Sequence, residues 1–88
     1  MKINVTQEDI DKGEAGISNS CPVALAIKRS YGELVRVTVG CTRIYISDIQ
    51  KTKYKTCQTP LEVVNFMCDF DRQNPVEPFE FEINPNKS

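Results

Sequence analysis

The chain predicts an α+β fold: a small single-domain sandwich, with a sheet of about four strands carrying helices on one face, in the order β-α-α-β-β-α-β. Three observations lead there. Val35, Val37 and Val39 alternate with Arg36 and Thr38, and after a glycine Ile44 and Ile46 alternate with Arg43, Tyr45 and Ser47, the pattern of a β-hairpin with one buried face. Two stretches, after Cys21-Pro22 and after Thr59-Pro60, open with a proline where a helix tolerates one and continue as apolar runs. Near the C-terminus, Phe79, Phe81 and Ile83 alternate with Glu80 and Glu82 as a last strand. A lone hairpin is barely stable in water, so the other segments are expected to cover its apolar face.

Taken in order, Lys2 to Thr6 alternates polar and apolar residues and suits a short first strand. Thr6 and Asp9 have the spacing of a helix cap and its reciprocal acid, Ile10 anchors one turn, and Gly13 is placed to end it. Ser20 or Cys21 caps the second helix with Pro22 at its first position. Val23, Ala24 and Ile27 share a face there, and Lys28 and Arg29 oppose the negative end of the dipole. The Gly40-Cys41-Thr42 link is expected to need one residue with positive φ. Lys51 to Thr56 alternates lysines with β-formers, which suits a solvated edge strand or a loop; a loop is the expectation for Asp48–Cys57. Thr59 is expected to cap the third helix with Pro60 at its first position. Over residues 60–72 the apolar side chains Leu61, Val63, Val64, Phe66, Met67, Cys68 and Phe70 sweep about 220°, more than one sheet face requires. That leaves a spare edge, to be wedged in the core or to meet a partner such as a second copy of the chain. Asn74-Pro75 stops the helix. The domain is expected over residues 1–84, with a polar tail at 85–88.

The expected core is Ile3, Val5, Val35, Val37, Val39, Ile44, Ile46, Phe79, Phe81 and Ile83. The open sheet face would carry Arg36, Thr38, Arg43, Tyr45, Glu80 and Glu82, the arginines laddered against the glutamates.

Eighty-eight residues, 40% of them hydrophobic and 26% charged, suit one globular domain rather than a disordered chain. No apolar run approaches the roughly 20 residues that span a bilayer, and the N-terminus turns polar too early for a signal peptide, so a cytoplasmic location is expected. The charge is unevenly spread. Residues 1–26 carry two bases against four acids, residues 27–55 seven against two, and residues 56–88 two against six. A basic middle between acidic ends suits a phosphate-binding stripe, or charge complementarity within a sheet surface.

Chemistry is thinly provided for. The chain has no histidine, and Cys21, Cys41, Cys57 and Cys68 lack the close spacing of a zinc site, so neither metal nor cofactor is expected and the thiols are expected reduced. Cys21, at a helix N-terminus, is the one thiol whose setting would lower its pKa, but it lacks the usual base. Phosphate-loop and dinucleotide glycine patterns are absent. No catalytic residue is assigned and an enzyme is not expected. Three binding surfaces remain: the start of the Cys21 helix with Ser18, Asn19 and Ser20, as an anion site; the open face with Arg36, Arg43 and Tyr45; and the run Lys51, Lys53, Tyr54 and Lys55, basic with an interleaved aromatic.

The frame Val5-Thr6 … Asp9-Ile10 … Gly13, then Cys21-Pro22-Val23-Ala24-Leu25-Ala26-Ile27 … Arg29, then Phe70-Asp71 … Pro75-Val76-Glu77-Pro78-Phe79-Glu80-Phe81, resembles small proteins of bacteriophages and actinobacterial mobile elements. No activity attaches to that group, so no site residue is carried over. The resemblance implies a non-enzymatic phage accessory protein that acts stoichiometrically. It would inhibit a host protein, such as a component of a defence system, by binding it. The alternative is a protein that binds or sequesters a nucleotide or nucleic acid through the basic middle region.

Overall fold

Two antiparallel sheets and three helices make up the computed structural model, which describes residues 2–17, 20–32, 35–48, 54–84 and 86–87. The elements run β1 (Lys2–Val5), α1 (Gln7–Lys12), α2 (Pro22–Ser30), β2 (Val35–Val39), β3 (Arg43–Asp48), β4 (Tyr54–Gln58), α3 (Leu61–Asp71), β5 (Phe79–Glu82) and β6 (Asn86–Lys87). The α+β class is as expected, but the strands form two sheets rather than one. β1 pairs with β5, and β2, β3, β4 and β6 form the second sheet in that order. Alternation shows which side of a strand is buried and not which strand lies beside it, so the split is invisible to local pattern.

The first corner is held by a cluster of side-chain hydrogen bonds. Thr6 caps α1 in a reciprocal box: its Oγ1 accepts from the Asp9 backbone N–H, and the Asp9 carboxylate accepts from the Thr6 N–H at 2.9 Å. The same carboxylate, 4% exposed, takes a forked pair from Arg29 of α2, Nη1 to Oδ1 at 2.6 Å and Nη2 to Oδ2 at 2.9 Å. Arg29 Nη2 also donates to the Asn4 carbonyl of β1 at 2.8 Å, so one guanidinium ties three elements together. Burial alone would raise the Asp9 pKa, but the bonds from Arg29 and Thr6 outweigh it and hold the carboxyl below its usual range. Gly13 ends α1, though in extended and not left-handed backbone. What it supplies is room, since a Cβ there would lie 2.5 Å from Pro22 Cδ.

Cys21 is the N-cap of α2, and Pro22 opens it. Val23, Ala24, Ala26 and Ile27 are fully buried, and α2 packs on β1 and β2. β2 and β3 pair from Val35 opposite Asp48 to Val39 opposite Ile44. The turn between them needs no positive φ at Gly40, contrary to expectation; its N–H donates to the Arg43 carbonyl at 2.8 Å. Thr59 likewise does not cap α3, whose N-cap is Pro60. Instead the buried Thr59 hydroxyl donates to the Gly40 carbonyl at 2.7 Å, and its N–H donates to the Thr42 carbonyl at 3.0 Å. A hairpin turn with its own polar groups to satisfy has drawn the threonine away from the helix.

Tyr54–Gln58, of which all but Gln58 fall within the expected loop, forms β4, which pairs with β3 from Arg43 opposite Gln58 to Ser47 opposite Tyr54. Asn86 and Lys87, expected in a polar tail, form β6 against β4. At the end of α3, Gln73 adopts φ 63°, with Gln73 N–H bonded to the Phe70 carbonyl and Asn74 N–H to the Asp69 carbonyl. This is a Schellman turn with glutamine where glycine is usual. Of the expected core, all are buried except Val35 and Phe79, which are half-buried. Phe66 of α3 meets Phe79 with ring centroids 4.7 Å apart, and Phe79 meets Phe81 at 5.6 Å, joining α3 to the small sheet.

Candidate binding surface

Pairing register decides which polar side chains meet. With Val37, Val39, Ile44 and Ile46 buried on the inner side of the larger sheet, strand alternation places Arg36, Thr38, Arg43, Tyr45, Ser47, Thr56 and Gln58 on the outer side. Thr38, Tyr45 and Thr56 form a row across β2, β3 and β4, and Arg36 stands opposite Ser47. Arg36, Thr38, Arg43 and Tyr45 are exposed, Tyr45 at 49%. Arg43 Nη1 donates to Thr56 Oγ1 at 3.1 Å, which ties it diagonally across to β4.

The expected ladder of arginines against Glu80 and Glu82 does not form, because the glutamates sit on β5 in the other sheet. There β5 pairs with β1, Glu82 opposite Lys2, and Lys2 Nζ lies 3.9 Å from Glu80. Among the described side chains the outer face therefore carries two arginines and no acid. The arginines are spread out. Arg36 is level with Ser47, four residues from Arg43 along β3, so about 13 Å separates their rows, with Tyr45 between.

The basic run of residues 51–55 is divided. Lys51 and Lys53 lie outside the described residues, and Tyr54 is placed by its backbone alone, opposite Ser47. Lys55 is opposite Ile46, on the inner side, with its Nζ 5.7 Å from the ring centre of Tyr31. It covers the end of α2 and does not join Arg36, Arg43 and Tyr45. At the start of α2, Ser18 and Asn19 also lie outside the described residues, while Cys21, Pro22, Val23 and Ala24 are buried, closing that helix end from solvent.

None of the four cysteines is in a disulfide. Burial pushes the Cys21 thiol up, more than the N–H groups of Ala24 and Val23 pull it down, which is the opposite of what a nucleophile needs. Burial also raises the half-buried Cys57, partly offset by the charge of Arg43. Among the described residues no three His, Cys, Asp or Glu side chains are grouped to hold a metal ion, and no helix is long and apolar enough to cross a membrane.

Comparison with protein-family models, curated proteins and solved structures finds no match for this chain.

The spare edge of α3 is real in part. Leu61 is 73% exposed and Cys68 is exposed, while Val64 and Met67 are half-buried. Beside it a shallow pocket of about 130 Å³ is lined by Ile17, Cys41, Met67 and Asp71, and the Gly16 N–H bonds the Asp71 carboxylate at 2.9 Å across its rim. Two structural features escaped the sequence: the Arg29–Asp9 fork, whose partners stand 20 residues apart, and the inward placement of Lys55. An acid at the third position of a capped helix is the signal that points to Asp9; nothing local points to Arg29.

Proposed function

We propose that the protein is a stoichiometric binding module whose outer sheet face docks onto another protein. The observation that carries this reading is the outer face itself, with exposed Arg36, Arg43 and Tyr45 and no acid among its described side chains. Tyrosine and arginine are the side chains that contribute most per residue at protein interfaces, because each combines a large apolar area with directional hydrogen bonds. Taken with the likeness to phage proteins, the partner is a host factor, and binding blocks it. A second reading, a nucleic-acid binder, draws on the same stripe, since an aromatic between two arginines suits bases stacked along a backbone. The spread of the arginines disfavours one small phosphate ligand held by both.

A photo-crosslinking residue in place of Tyr45, activated in the cell that makes the protein, tests this. The expected result is an adduct with one protein. Adducts with nucleic acid alone would favour the second reading, whose binding would also weaken steeply with salt. Crosslinking from position 61 and none from position 45 would move the site to α3 and end the proposal.

A further inference from the structure

Three rows of side chains cross the outer face of the larger sheet. Arg36 and Ser47 make the first, Thr38, Tyr45 and Thr56 the second, and Arg43 and Gln58 the third. Each row stands about 7 Å from the next, two residues along the strands. The arginines therefore occupy the two outer rows, offset by one strand, with Arg36 on β2 and Arg43 on β3. Between them lies a row that donates and accepts hydrogen bonds but carries no charge.

Both guanidiniums have donors to spare. Among the described residues nothing bonds that of Arg36, and Arg43 gives one bond, to the Thr56 hydroxyl. Gly40, whose N–H bonds the Arg43 carbonyl, adds no side chain beside Arg43 on β2. No acid among the described side chains of the face neutralises the pair. Whatever covers this face must answer two positive charges, or leave them desolvated and unpaired at a cost in binding.

We infer that the outer face takes an acidic segment of the protein partner, with two carboxylates about 13 Å apart and a neutral stretch between them; this rests on the proposed reading as a protein-binding module. A carboxylate is the side-chain acceptor whose two oxygens match the guanidinium fork. The spacing then selects among acidic surfaces. A helix laid on the face meets it with carboxylates eight residues apart, at about 12 Å, and an extended segment with carboxylates four apart, at about 13 Å. A nucleic acid fits less well. Each of its strands carries a charge about every 3.4 Å along a duplex, and two guanidiniums so far apart leave most of those charges unpaired. A second copy also fits less well. Its exposed Glu80 and Glu82 stand only two residues apart on β5, about 7 Å, and Lys2 Nζ already lies 3.9 Å from Glu80.

The probes are two capped synthetic peptides, an alanine-based helix with glutamates eight residues apart and a threonine-rich extended chain with glutamates four apart. Each is added at millimolar concentration to the full chain, and the side-chain Nε–H signals of Arg36 and Arg43 are followed by NMR. Both signals are expected to shift together with at least one peptide. Halving the glutamate spacing, or changing one glutamate to glutamine, should weaken that binding about fivefold. Arg36→Gln and Arg43→Gln should each cost the same factor, with the amide signals of β3 and β4 reporting an intact fold. No shift with either peptide, or equal binding of the half-spaced, glutamine or lysine versions, would overturn the inference. Tighter binding of oligothymidylate would give the face to nucleic acid, and the same shifts on concentrating the protein alone would give it to a second copy; each overturns it too. If Arg36→Glu abolishes crosslinking from position 45 while glutamine at both arginines leaves it at full strength, the face reading stands and the acidic partner falls. No protein adduct at all from position 45 ends both.

Discussion

The corner where β1, α1 and α2 meet and the outer face of the larger sheet each present arginine, and they use it in opposite ways. At the corner, Arg29 makes two bonds to a buried carboxylate and one to a strand carbonyl. On the outer face, Arg43 has one bond to a threonine hydroxyl, and Arg36 faces solvent from an exposed position. A guanidinium forked onto a buried carboxylate and bonded to a strand carbonyl holds a fold together. One left on an open sheet contributes little to stability and remains available for contact. The difference separates scaffold from surface within one small chain.

The sharpest way to break the comparison is at Asp9. Asp9→Ala leaves the Arg29 fork and the Thr6 N–H without their acceptor, and about 3 kcal/mol of stability should be lost in a denaturant titration. Gly13→Ala comes next: the new methyl meets the proline ring that opens α2, which cannot swing away, and about 2 kcal/mol should go. The Asp9 contribution also has a pH signature. Its carboxyl titrates lower in the folded chain than the 3.8 of a free aspartate, so the stabilisation is complete above that value and is lost as pH falls through the folded pKa. Asp9→Asn should flatten the stability profile on the acid side, as followed by thermal unfolding at stepped pH. Gln73→Gly should raise stability by several tenths of a kcal/mol, because glycine holds positive φ without the strain that glutamine bears. Smallest of all is Arg36→Ala, expected to shift stability by less than about 0.5 kcal/mol. A large loss there would mean that the outer face is scaffold too.

What was legible in the chain was everything written at short range. Valine and isoleucine alternation picked out the core side of β2 and β3, the Thr6 and Asp9 spacing marked the start of α1, and Cys21-Pro22 marked that of α2. The α+β class followed from their order. What escaped depended on contacts far apart in the sequence. Thr59 serves a turn 19 residues away, and Asp9 finds Arg29 only once α2 has folded back. β4 looked like a loop because lysine and threonine alternate without showing which side is buried. Its inner lysine, Lys55, reaches across to Tyr31 instead of being replaced by an apolar residue. For the candidate surface, alternation already grouped Arg36, Arg43 and Tyr45. The charge balance of the face was hidden, because only the pairing of β5 with β1 takes Glu80 and Glu82 away from it.

The central claim is that the outer face binds while the corner holds. Its most direct test is the affinity of the partner recovered through position 45 for the intact chain and for Arg36→Glu, measured alongside their unfolding midpoints. The account predicts binding lost and the midpoint kept. Binding kept at full strength in a folded Arg36→Glu chain would contradict it.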